Sequence, residues 1–193
     1  DKAAEEDDGP QRERTELGFV AVAAGSGQAE ILRSLGVNVI VSGGQTMNPA
    51  TADILAAIEK ANAKSVIVLP NNSNIRMTAE AAANACDGCE AAGVPTKTVL
   101  QAFAAMFVAD PEASLSDNVE AMTEAISEVR DGEVTTAVRD SAAADGSPIH
   151  AGDVMGIVGG AIIAVGNSVE GVTLDIINKM QDDGEGDTLT ILA

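Results

Sequence analysis

The chain has 193 residues, enough to bury one sizeable core or one domain with a smaller annex, and 46% apolar residues place it among globular chains. Its formal charge of −19 repels phosphate backbones, and with three Phe, no Trp and no Tyr it offers few platforms for stacking bases. Nucleic acid is therefore excluded as an expected partner, whereas a basic protein surface is something such acidity would steer.

Asp1 to Glu16 is charged and without apolar periodicity, and reads as a disordered or extended linker remnant of a longer polypeptide. Phe19 to Ala24 is a short apolar run. Gly25-Ser26-Gly27 then leads into Ala29, Ile31, Leu32 and Leu35 at helical spacing, closed by Gly36. Val37 to Val41 is the second expected strand. The helix after it begins near Asn48-Pro49, with Asn as N-cap and Pro in the first turn, and turns Ile54, Leu55 and Ile58 inward. Val66 to Leu69 is a third strand, followed by a helix from about Asn74 to Ala92 whose alanines predict close packing on the sheet. Thr96 to Leu100 reads as a fourth short strand, and Ala102 to Val108 as helix. The alternation predicts an α/β fold over 17–110, a parallel sheet of about four strands with flanking helices and right-handed crossovers.

After Asp110-Pro111 the pattern changes. Leu115, Val119, Met122, Ile126 and Val129 mark an amphipathic helix that Gly132 ends. Val134 to Val138 reads as a strand and Asp140 to Gly146 as a polar turn. Val154 to Val158 and Ala161 to Val165 form a hairpin about Gly159-Gly160. A helix from Val169 to Met180 and a strand from Thr188 to Leu192 follow, so 111–193 is expected to be a smaller α+β portion packed on the first.

The loops Ser42 to Pro49 and Pro70 to Asn74 follow consecutive strands and run into helical patterns. Both are therefore expected at the carboxyl edge of the sheet, where open α/β folds bind ligands or partners. They carry amides and hydroxyls but no charge, equipment for holding rather than for proton transfer or nucleophilic attack. Ser42, Gly43, Gln45, Thr46, Asn48, Asn71, Asn72 and Asn74 are the candidate ligand- or partner-binding residues.

Other motifs carry less. Gly25-Ser26-Gly27 lacks the third glycine of a dinucleotide fingerprint, Glu30 standing in its place, and no Walker-type loop is present. Cys86-Asp87-Gly88-Cys89 falls near a helix carboxyl end, where the dipole does not activate a thiol, and His150 alone cannot complete a zinc site with it. The cysteines read as structural or incidental, and His150 as a solvated loop residue. Asp110, Glu112, Asp117, Glu120, Glu124 and Glu128 include helical spacings that put carboxylates on one face. Such a face is a solvated surface or a docking surface for Lys and Arg, with Glu120 and Glu124 as its candidates. No catalytic residue and no metal site is expected. No stretch has 18 uninterrupted apolar residues and no signal-peptide pattern opens the chain, so a cytoplasmic protein without a membrane span is expected.

Phe19 to Gly25, Ser42-Gly43-Gly44-Gln45-Thr46-Met47-Asn48-Pro49-Ala50-Thr51, Leu69 to Ile75, Pro95 to Thr98, Asp110 to Ser114, Ala137 to Asp140 and Gly152 to Val158 carry a resemblance. Together they resemble the carboxyl-terminal domain of the bacterial fatty acid kinase catalytic subunit, of the dihydroxyacetone-kinase-like family, over about 17–193. The resemblance implies a parent polypeptide whose amino-terminal domain binds ATP and magnesium and transfers the phosphoryl group. It implies a middle domain that links and dimerises, and a carboxyl-terminal domain that engages a separate fatty-acid-binding protein of the DegV family. It adds Lys97 and Thr98 to the binding set through the Pro95 to Thr98 motif. The layout is also similar to DegV proteins themselves, with Asn71-Asn72-Ser73-Asn74 in place of their Ser-Gly loop. The family continues past Leu192 into a further helix and strand, so a chain truncated at its carboxyl end is expected. The expected role is a non-catalytic docking and regulatory domain of an ATP-dependent acyl kinase, with no cofactor in this chain and ATP and magnesium on the amino-terminal domain. The alternatives are a DegV-like carrier of a small carboxylate or fatty acid, and an autonomous kinase using His150.

Overall fold

The computed structural model describes residues 13–44, 47–182, 184 and 186–193. The chain divides into two compact units, 1–129 and 130–193.

In the first unit strands β1 (Thr15–Ala23), β2 (Val39–Ser42), β3 (Ala63–Leu69) and β4 (Glu90–Gly93) form one parallel sheet in the order β2-β1-β3-β4. The interleaved helices are α1 (Gly25–Ser34), α2 (Thr51–Lys60), α3 (Arg76–Asn84), α4 (Val99–Val108) and α5 (Leu115–Ser127). This is the parallel α/β sheet of about four strands that the alternating pattern predicts. Leu17 to Ala23 and Val66 to Leu69 are buried throughout, as a strand covered on both faces must be. Successive side chains divide between two cores, because a strand's residues alternate in direction. Phe19, Ala21, Ile67 and Leu69 pack with Leu32, Phe103, Met106, Met122 and Ile126 under α1, α4 and α5. Val20, Val22, Val66 and Val68 pack with Ile54, Ile58, Ile75 and Ala82 under α2 and α3.

Four local expectations change. The fourth strand is Glu90–Gly93, not Thr96 to Leu100, and the helix expected to reach Ala92 stops at Asn84. A Cys86–Cys89 disulfide closes the connection, and Ala91 and Ala92 then pair with Val66 and Ile67. Propensity favours helix for alanine, but an open edge of β3 outweighs it. Helix α2 takes Ala50 rather than Asn48 as N-cap, because Asp53 Oδ2 accepts the Ala50 N–H at 2.9 Å. Of the expected linker, 1–12 lies outside the described residues. Thr15 and Glu16 already belong to β1, where Thr15 pairs with Ala63 and Glu16 with Lys64 at 2.5 Å.

Helix α5 lies in the first unit, because Met122 and Ile126 enter the same core as Phe103. The compact boundary thus follows Val129, whereas the change of pattern in the sequence comes after Asp110. Asn118, 1% exposed, fixes the approach to this helix. Its Oδ1 accepts the Asp110 N–H at 2.8 Å while its Nδ2 donates to Asp110 O at 2.8 Å.

In the second unit β5 (Gly132–Thr136), β8 (Val154–Val158) and β9 (Ala161–Gly166) form an antiparallel sheet in the order β5-β8-β9. A short ribbon, β6 (Ser141–Ala142) with β7 (Pro148–Ile149), interrupts it in sequence. Gly159 and Gly160, both at positive φ, make the tight β8–β9 turn. Helix α6 (Val169–Gln181) presses Val172 and Ile176 on the sheet at Gly156, where a Cβ would stand 2.3 Å from Ile176 Cγ2. Arg130 ends this helix by donating to Met180 O at 2.7 Å. Thr188 to Leu192, expected as a strand, is irregular. Its alternating side chains make a strand only against a sheet edge that accepts its hydrogen bonds, and among the described residues no strand pairs with it.

Candidate functional site

Parallel strands end on the same side, and the register makes the rim explicit. Ala23 of β1 pairs with Ser42 at the end of β2, and Ala21 with Leu69 at the end of β3. The loops after β2 and β3 therefore flank the end of β1 on one rim. The chain winds outward from β1 to β2 and back across to β3, so winding reverses between β1 and β3, where doubly wound sheets open a crevice.

Ser42 and Asn48 are exposed on the β2 loop, while Gly43 is buried. A Cβ on Gly43 would lie 2.8 Å from Val22 Cγ1 and 2.9 Å from Pro49 Cδ, so only glycine lets the loop fold onto β1. The Gly44 N–H donates to Met47 O at 2.9 Å. Gln45 and Thr46 lie outside the described residues.

The β3 loop is held by its own hydrogen bonds. Asn71 adopts a left-handed φ of 55°, its N–H donates to Thr96 Oγ1 at 3.0 Å, and its Nδ2 donates to Val22 O at 2.8 Å. The Thr96 hydroxyl in turn donates to Asn71 Oδ1 at 2.7 Å. Asn72 Oδ1 accepts the Asn74 N–H at 2.8 Å, and Asn72 O accepts from Ile75, turning the chain into α3. Beyond β4, Thr98 caps α4 by accepting the Gln101 N–H at 3.2 Å, while Gln101 Oε1 accepts the Lys97 N–H at 2.7 Å.

The structure thus brings Ser42, Gly43, Asn48, Asn71, Asn72, Asn74, Lys97 and Thr98 to one rim. Glu120 and Glu124 are elsewhere, on the outward stripe of α5 opposite Asn118, Met122 and Ile126. The carboxyl end of α5 reaches toward the rim, since Gln101 Nε2 lies 3.5 Å from Ile126 O. Sequence reasoning missed Thr96, which it placed in a strand. The visible signal was its place in the Pro95 to Thr98 motif, and at 1% exposure it is buried.

Beside the rim, Pro70, Arg76, Ala79, Glu80, Gly93, Val94 and Pro95 line a cleft of about 90 Å³. Arg76 there pairs with Glu80 at 2.8 Å. A wider groove of about 650 Å³ lies at the opposite edge of the sheet, between Glu16, Leu17 and Ser65 and the loop from Pro111 to Leu115. His150 is exposed in the second unit, with Nδ1 3.6 Å from Asp153 Oδ2. Among the described residues no cluster of three His, Cys, Asp or Glu side chains could hold a metal ion, and no helix is long and apolar enough to cross a membrane.

Comparison with known proteins decides the family. The profile of the FakA-like C-terminal family of fatty acid kinase matches residues 18–193. The chain belongs to this family. Uncharacterized proteins of Staphylococcus are among the relatives of this fatty acid kinase-related domain. One from S. haemolyticus is 38% identical over 187 residues, 97% of this chain and 33% of its own length. One from S. aureus strain MRSA252 is 37% identical over 183 residues, 95% of this chain and 33% of its own length. The chain therefore spans about a third of the length of the curated relatives it matches.

Proposed function

We propose that this fatty acid kinase-related domain is a non-catalytic docking module that receives a DegV-type fatty-acid-binding protein. It would present that protein's bound acyl carboxylate to ATP and magnesium held on an amino-terminal kinase domain of the same polypeptide. Positioning of this kind converts an encounter between two reactants into a nearly unimolecular step. The observation that carries the reading is the shared rim, where amides and hydroxyls of the β3 and β4 loops stand on a hydrogen-bonded backbone with Ser42 and Asn48 beside them. Neutral hydrogen-bonding groups on a rigid edge recognise a partner without contributing a proton or a nucleophile. The outward carboxylates of α5, Glu120 and Glu124 among them, add a charged flank near that rim and supply orientation and on-rate.

The carrier alternative needs room. A small-molecule site encloses about 300–1,000 Å³, and the cleft beside the rim, between Pro70, Arg76 and Pro95, is about 90 Å³. The larger groove faces Glu16 and Glu112, which disfavours a carboxylate ligand. The test is capture of a purified DegV-type acyl-protein by this chain, with native mass spectrometry of the chain alone. Docking predicts a salt-sensitive complex and a free chain without bound lipid. A co-purified acyl chain with no complex supports the carrier instead.

A further inference from the structure

The rim residues divide into two jobs. The crevice at the β1–β3 reversal, the place where doubly wound sheets receive ligands, is bridged in this protein by the Asn71 side chain. Both ends of its carboxamide are occupied, Nδ2 by Val22 O at 2.8 Å and Oδ1 by the Thr96 hydroxyl at 2.7 Å. The same hydroxyl accepts the Asn71 N–H at 3.0 Å, so one buried oxygen ties the β3 loop to the β4 loop twice. Asn71 holds a φ of 55°, a conformation that asparagine tolerates better than most residues. Beyond it, Asn72, half-buried, and Asn74, exposed, stand on a turn closed by their own hydrogen bond of 2.8 Å.

We propose that Thr96 and Asn71 are positioning residues, which set the shape of the Asn71–Asn74 loop before any partner arrives, and that Asn72 and Asn74 are the groups a partner protein meets. The assignment rests on the docking reading above. It removes Asn71 from the contact set and adds Thr96 as its support. Ordering the loop in the free protein lowers what binding must spend on immobilising it, which is how a preorganised edge gains affinity.

The test uses the chain with Thr96→Val, which keeps the shape and deletes the hydroxyl, Thr96→Ser, which keeps the hydroxyl, and Asn71→Gly, which keeps the left-handed backbone and deletes the carboxamide. Two quantities are read: amide hydrogen exchange of 71–75 in the free chain, and the Kd for a purified DegV-type acyl-protein. Thr96→Val and Asn71→Gly are expected to speed exchange at the Asn71 and Asn74 amides at least tenfold and to raise Kd about tenfold. Thr96→Ser is expected to restore both within twofold. Unchanged exchange in Thr96→Val, or no restoration by Thr96→Ser, overturns the latch. Faster exchange with an unchanged Kd overturns the positioning role while docking stands. Absence of any complex with the unsubstituted chain removes the docking reading, and the exchange rates still decide whether Thr96 orders the loop. If Thr96→Val melts the whole unit, Asn71→Gly provides the same comparison.

Discussion

Asn71 concentrates several physical effects in one residue, a left-handed backbone and a carboxamide bonded at both ends. Asn71→Ala loses the bonds, leaves Val22 O and the Thr96 hydroxyl short of partners, and strains the backbone. The expected loss is about 3 kcal/mol, read by urea unfolding, with Asn71→Gly losing less because it escapes the strain. At Gly156 the effect is steric, since a Cβ would press on Ile176 Cγ2 and Val172 Cγ1. Gly156→Ala is expected to cost about 2 kcal/mol, seen as a lower Tm, and an unchanged Tm would mean α6 can move away freely. Asp145, at the β6–β7 turn, has its carboxyl held below the usual range, first by the backbone N–H of Ser147 and then by the Ser147 hydroxyl. A carboxyl with a lowered folded pKa contributes stability that is present above its unfolded value and fades as pH falls through the folded one. Carbon-detected titration should place Asp145 below an aspartate in an unstructured peptide. A midpoint at or above that reference would contradict the turn geometry.

At the scale of elements, α5 depends on the buried Asn118, whose side chain satisfies both polar groups of Asp110 and also donates to Ser114 O at 3.1 Å. Asn118→Leu takes the acceptor from the Asp110 N–H, while Asp110 O keeps the Ala113 N–H and Ser114 O keeps the residue 118 N–H, and should cost about 1–2 kcal/mol by urea unfolding. A neutral outcome would show that water replaces the amide. The strands that pattern alone made legible were those with β-branched runs, Val37 to Val41, Val66 to Leu69 and Val154 to Val158, and the glycine pair that turns β8 into β9. β4 was hidden because Glu90-Ala91-Ala92-Gly93 has no such residue, and its identity comes only from the edge of β3 that it meets. The same physics misled in the other direction at Thr188 to Leu192, where a strand-like alternation meets no edge among the described residues. On the rim, the loop positions were readable from strand ends followed by helix starts. The division of labour within them was not, because it depends on which oxygen Thr96 reaches across 25 residues.

For the whole molecule, the formal charge of −19 makes any encounter with a basic surface fast at low salt and weak at high salt. Glu120→Lys with Glu124→Lys should leave stability within about 0.5 kcal/mol, since both side chains are exposed, yet slow association with an acyl-protein partner and flatten its salt dependence. Unaltered association would place the charged contact away from α5. The rim itself is tested most directly by isothermal titration of a purified DegV-type fatty-acid-binding protein into the chain and into its Asn72→Ala, Asn74→Ala double variant. A measurable complex is expected, with a Kd that rises at least tenfold in the double variant while Tm falls by no more than the few degrees that losing the Asn72 turn bond costs. Equal binding by both proteins would contradict that expectation.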